Sequence, residues 1–409
     1  IIFVGKEALA AVGSTTMIVN MLVFFFNGFS IGAGVTLGQY FGAKDLEKRS
    51  RAVHTTILVT LVTCVILTVA GVLATPLMLR LMQTPEDVLP QAAEYLRIFF
   101  WGITGVHLYN SCAGILRAVG DSTRPLYLLI FCTMTNTVLD VLFTGVLGMG
   151  IAGAAWATVI SQFLSAILVL RLLLRTDAAY KLELRKLRFD LPILGKILLI
   201  GIPSALQMGI TSLSNVFVQS YVNRFASTVL AGWTAYNRVD SFAMLPMMSL
   251  STSITTFIGQ NYGAGNLPRC RQVTRVALGL DLLCTLFLSA LILWWGRELL
   301  GLFSSDEAVI ETGMLRIIYV VTPQFINVVM EIFSGAMRGY GYSLPPALVT
   351  LVSICGIRLV WVYTLFPLYP SYRTLMIVYP VSWLACVILL WWLYVHQQRR
   401  LKAGAAAAA

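Results

Sequence analysis

Four carboxylates stand where carboxylates are expensive. Most of the 18 acidic residues lie in polar connections, but Asp140, Asp240, Asp281 and Glu331 fall inside long apolar runs. A charged side chain at the centre of a bilayer costs about 2.5–3.5 kcal/mol on insertion scales, so such a residue is a functional candidate. Asn136 precedes Asp140 by one helical turn, which puts an amide and a carboxylate on one helix face. Oxygen ligands of this kind suit a proton or a hard cation, and Thr158 on the following run adds a hydroxyl. The same three residues would also serve as a polar cluster bridging helices. Asn327 and Glu331 repeat the four-residue spacing in the second half, where, with Asp240, a second cation or substrate site is as natural as packing. Asp240 is expected to pair with Arg238 or Arg358, and Asp281 to be structural. His54 and His107 read as packed polar residues.

Other chemistries lack their residues. The seven cysteines are scattered with no CxxC pair, so no metal centre or disulfide framework is expected. Residues 148–153 read GMGIAG, but a dinucleotide fingerprint needs a strand before it. Here the glycines open an apolar helix, where small residues serve close packing. No nucleophile–base set or phosphate loop is present, so no enzyme and no cofactor is expected.

The elements that must hold these groups are membrane spans. The 409 residues are 58% hydrophobic and only 11% charged, with mean hydropathy +0.82; soluble domains carry about 25% charged residues. Apolar runs long enough for a helix spanning about 20 residues occur at 9–40, 52–75, 92–118, 124–147, 151–175, 195–224, 229–258, 273–295, 311–338, 344–367 and 374–396. They are continuous rather than alternating, which selects helices over barrel strands. Pro203, Pro246, Pro323 and Pro380 fall inside second-half spans and are expected to kink them. Phe242, Met244, Met247 and Met248 form a Met-rich stretch suited to core or lipid contact, or to an adaptable cavity.

An internal repeat organises the spans. GQYFGA at 38–43 recurs as GQNYGA at 259–264, an offset of 221 that also pairs Arg117 with Arg338, Gly120 with Gly341, Ser122 with Ser343 and Pro125 with Pro346. The span at 195–224 lacks a partner except for residues 1–4. This predicts an N-terminally truncated chain whose full form has twelve spans in two parallel six-helix lobes, related by a pseudo-twofold axis along the membrane normal. The lobes are 1–175 and 193–409, joined by a polar linker at 176–192.

Twenty Lys and Arg fall on one side of this topology and seven, Arg316 among them, on the other. The richer side is expected to be cytoplasmic, with both termini there, in the plasma membrane. The net charge of +11 is thus an orientation signal, and no nucleic-acid partner is expected.

LAAVG at 9–13, the two GQ-aromatic-GA motifs, ILRAVGDSTRP at 115–125, GIAGAAWATVI at 150–160, GIPSALQ at 201–207 and AMRGYG at 336–341 together resemble the multidrug and toxic compound extrusion (MATE) family, in its prokaryotic branch. The resemblance implies an all-α integral membrane protein with a central cleft, exporting cationic or amphiphilic drug-like small molecules in exchange for H⁺ or Na⁺, and a monomer is expected. It also implies a first-lobe cation site of Asn136, Asp140 and Thr158, completed by a first-helix acid lying before Ile1. An alternative is a lipid-linked oligosaccharide or polyisoprenoid flippase of the same superfamily, with Arg238 and Arg358 as the anion contacts.

Overall fold

The computed structural model describes the backbone of residues 5–81, 86 and 88–408, and side chains chiefly from Ile18 to Ala403. Residues 1–4, expected to end a preceding span, lie outside the described residues. Every described regular element is helical. The helices are α1 Gly5–Gly42, α2 Leu46–Leu81, α3 Leu89–Ala118, α4 Thr123–Asp140, α5 Gly150–Arg175, α6 Leu191–Val222, α7 Ser227–Gly263, α8 Leu267–Trp294, α9 Gly296–Gly301, α10 Glu307–Arg316, α11 Gln324–Gly339, α12 Leu344–Thr350, α13 Ile357–Leu368 and α14 Tyr372–Ala408.

Each of the runs expected from sequence is found as a helix or as helices joined by a break. Among the described residues, nine spans are long and apolar enough to cross a membrane, and the bent pair Glu307–Val321 and Gln324–Gly339 makes a tenth. That pair turns by 47° at Thr322-Pro323, where proline withholds a backbone donor. Pro203, Pro246 and Pro380 instead lie inside continuous helices. Three π-turns, Val141–Val146, Ile317–Val321 and Leu351–Gly356, interrupt what the sequence presented as single rods.

α3 falls short of the hydropathy of a span because it has little lipid to face. It packs against α1, α2 and α5, and buries His107, Ser111 and Cys112 along its length. α11 has the same place in the second half, against α7, α8 and α14. A helix screened by three neighbours can carry polar groups that lipid would penalise.

The chain forms two compact units, Ile1–Ala205 and Leu206–Ala409, with the division inside α6. In the first unit Gly28 and Gly32 of α1 let α6 approach so closely that a Cβ there would meet Ala205 and Gly201 backbone atoms at 2.7 and 2.8 Å. Residues 176–190 fold back onto α2: the Glu183 amide donates to His54 Nε2 (3.0 Å) and Thr55 Oγ1 to the Arg188 carbonyl (3.2 Å).

The 221-residue repeat is visible as repeated local geometry. Gly120 and Gly341 take φ of 92° and 91°, a left-handed region where glycine pays little. The Asp121 amide donates to Leu116 O and the Tyr342 amide to Met337 O, both at 2.9 Å. Ser30 Oγ donates to Asn110 O (2.8 Å), and Ser251 Oγ to Glu331 O (3.3 Å). The α1–α2 corner matches the α7–α8 corner, with Lys48 N capped by Asp45 Oδ1 (2.9 Å) and Arg269 N by Asn266 Oδ1 (3.0 Å). Lys44, at φ 56°, stands where the second unit has Gly265 at φ 72°.

Candidate functional site

α4 begins at a tight corner, where Asp121 Oδ1 accepts from the Arg124 amide (3.1 Å), and runs along the outside of the first unit against α5. Its threonines satisfy themselves: Thr133, Thr135 and Thr137 donate to carbonyls four residues back at 2.8, 2.9 and 3.1 Å. Asn136 and Asp140 do not. Both are half-buried, and Asn136 Nδ2 and Asp140 Oδ1 are shielded from solvent without a hydrogen-bond partner. Asp140 lies within electrostatic reach of Tyr95 on α3. It makes no ion pair within its own unit among the described residues; the first-unit pairs all lie at its polar ends. Thr158 is carried on α5, which packs on α4; its hydroxyl donates to Ala154 O (3.0 Å), leaving its oxygen as an acceptor. The π-turn Val141–Val146 starts at the residue after Asp140. Widened turns of this kind leave backbone groups offset from the usual ladder and recur at functional sites.

In the second unit the expected group of Asn327, Glu331 and Asp240 separates into two clusters. Glu331 accepts from Ser251 Oγ (3.2 Å) and faces Arg338 Nη2 at 3.8 Å. Arg338 also donates to Gln207 Oε1 (3.0 Å) and Ser251 Oγ (2.9 Å), and Gln207 Nε2 donates to Ser334 and Thr350 hydroxyls. Asn327 is buried one turn before Glu331. Asp281, expected to be merely structural, is fully buried, with Thr285 one turn on and Glu331 in electrostatic reach. The polar centre of this unit is therefore Asp281, Glu331 and Arg338.

Asp240 lies eleven residues before Ser251 on α7, about 16 Å of helix. Its cation is neither of those expected. Arg238 is exposed, and Arg358 gives its donors to Asn215 Oδ1 (2.7 Å), Ser214 Oγ (3.4 Å) and Ser382 Oγ (3.3 Å). The neighbour of Asp240 is Arg316, which the charge count had assigned to a loop. Arg316 is buried, with its guanidinium 3.1 Å from the Trp233 ring centre and 4.2 Å from that of Tyr236. Arg358 and Arg316 also share Tyr379, at 4.3 and 5.8 Å. A sequence signal existed in part, since Leu315-Arg316-Ile317 repeats Leu96-Arg97-Ile98 inside α3. The aromatic partners come from α7 and α14, which no local pattern reveals.

The GMGIAG stretch turns at Gly148 and opens α5 at Gly150, as expected: the two glycines take φ of 63° and 59°, and a π-turn rather than a strand precedes them. Among the described residues no group of His, Cys, Asp or Glu is arranged to hold a metal ion. The Met-rich stretch divides, with Met247 in the core and Phe242 and Met248 exposed. His54 is held by two bonds, to Ser50 O (2.6 Å) and Glu183 N, while His107 stacks on Phe26 at 4.4 Å.

Comparison with known proteins places this architecture. The MatE family profile matches residues 1–142 and 203–364. A probable multidrug resistance protein of Bacillus subtilis (strain 168), YoeA, is 33% identical over 365 residues, spanning 87% of this chain and 78% of the relative. A second from the same organism, YpnP, is 30% identical over 362 residues, 87% and 79% of the two chains. A solved outward-facing multidrug resistance MATE transporter of the MOP superfamily superposes with TM-score 0.92 at 22% identity, covering 98% of this chain and 90% of that one. The chain belongs to the MatE family, a family of multi-pass α-helical membrane transporters and not of enzymes.

Proposed function

We propose that this protein is a secondary-active exporter of amphiphilic or cationic small molecules, driven by H⁺ or Na⁺ entering on Asp140. The observation that carries the reading is the shielded, unpaired Asp140 oxygen, one helical turn from the likewise unpaired Asn136 Nδ2, in an apolar span. A carboxylate with no cation of its own gains most from a transported one. Thr158, on the helix packed against α4, and the offset carbonyls of the π-turn are further oxygens of the kind a hard cation takes. Cation and cargo drive export by binding the inward- and outward-open states with different affinity. The names of the Bacillus subtilis relatives support drug-like cargo. A 24% identical relative from Shewanella oneidensis named as an FAD transporter is a reminder that the fold alone does not set the substrate. The flippase alternative draws less support, because Arg358 is buried and engaged by Ser214, Asn215 and Ser382 inside its own unit.

Asp140→Asn keeps the shape of the side chain and removes its charge. Proteoliposomes bearing this variant are expected to lose ethidium transport driven by an imposed H⁺ or Na⁺ gradient, with unchanged yield and melting temperature. Gradient-driven transport at the wild-type rate would refute the assignment.

A further inference from the structure

The two units differ at one place where the repeat says they should agree. In the first unit, Val53 and Ile57 of α2 and Leu173 of α5 close around Leu182, which is 1% exposed and whose amide donates to Leu173 O (3.0 Å). The chain after α5 thus plugs its own groove, and His54 ties down the next residue. The offset of 221 carries Val53, Ile57 and Leu173 to Thr274, Leu278 and Tyr394. These three line an open cavity of about 450 Å³ between α8, α11 and α14. Within the described residues α14 runs on as helix to Ala408 and does not turn back over it as 176–190 does in the first unit.

The open groove is also charged where its counterpart is apolar. Arg271, Arg275, Arg399 and Lys402 line it, and among the described residues no carboxylate does. It is a built site: Arg271 Nε is fixed by Gln398 Oε1 (2.9 Å), and Tyr394 OH by Thr274 Oγ1 (3.2 Å). Tyr394 in turn stacks on Phe333 at 5.0 Å. Below the cations the wall is Leu278, Trp391 and Val395. Four cations over an apolar, tryptophan-edged wall at the end of a membrane span complement a phosphate group carrying acyl chains. The positive-inside pattern assigns this end to the cytoplasmic leaflet, where anionic lipids are held by basic pockets between helices.

We infer that the α8–α14 groove binds the headgroup of one anionic phospholipid, which takes the place in the second unit that Leu182 takes in the first. Arg275 and Arg399 are exposed and, among the described residues, bond to no side chain, so Arg275→Gln/Arg399→Gln leaves the packing and the Arg271–Gln398 bond in place. The probe is dioleoylphosphatidylglycerol retained by the purified full chain in native mass spectrometry, with dioleoylphosphatidylcholine as the neutral lipid and Arg171→Gln/Arg175→Gln as a charge-matched control at the end of α5. The Arg275/Arg399 pair is expected to weaken the tightest phosphatidylglycerol event about tenfold or more, and the Arg171/Arg175 pair to leave it within about twofold. Equal weakening by both pairs would mean a diffuse polybasic attraction and overturn the site. Full competition by millimolar inorganic phosphate would make it a soluble-anion site, and equal retention of phosphatidylcholine would remove the charge requirement; either result also overturns the inference.

Discussion

Arg117 and Arg338 occupy equivalent positions in the repeat, yet among the described residues only Arg338 joins a side-chain network, with Gln207, Ser251 and Glu331. A buried guanidinium is costly to strand and costly to remove once a carboxylate depends on it. Arg338→Ala is expected to destabilise the protein by about 2–4 kcal/mol, less than a fully buried pair because Glu331 keeps 30% of its surface. Adding Glu331→Gln should recover part of the loss, as read by thermal melting in detergent. If the double variant melts below the single, Glu331 is not the group that Arg338 balances. That Asn136 and Asp140 share one helix a turn apart was legible from their spacing, because helical periodicity fixes such neighbours. Arg316 and Asp281 were not. Their surroundings come from helices distant in the chain, so one looked like a loop charge and the other like a span-end residue.

At the scale of helices, close packing rests on repeated small residues. A Cβ on Gly114 would meet Ser30 Oγ at 2.5 Å, a hydroxyl that can rotate away. A Cβ on the equivalent Gly335 would meet Ser251 O and Ile254 Cγ2, both at 2.8 Å, and the carbonyl belongs to the α7 backbone. Gly335→Ala is therefore expected to cost about 1–3 kcal/mol and Gly114→Ala less, on the same melting assay. Reversal of that order would show that α3 and α1 are the tighter pair. The spans themselves could be read from apolar runs, and the corners from the GQ-aromatic-GA and Gly120/Gly341 motifs. The π-turns could not, because inserting one residue into a helix leaves hydropathy unchanged. The 47° break at Pro323 was legible as a kink but not as an interruption.

For the molecule as a whole, charge asymmetry sets an expectation about orientation. In a cysteine-free background, cysteine placed at Asp177 should react with an impermeant maleimide only in inside-out vesicles, and cysteine at Arg297 only in right-side-out ones. Labelling of both from one face would contradict the topology. All seven native cysteines must be replaced first, since Cys284 is exposed on α8.

The two halves share a plan but not their points of compliance. Among the described residues the first unit has a single widened turn, directly after Asp140, while the second has two, one of them running into the Pro323 break. Twin frames with joints at different heights do not yield alike under the same load. If Asp140 takes the cation as proposed, its occupancy is felt first by the joint beside it, and the transport cycle need not be a mirror-image rocking in which each half repeats the other's motion.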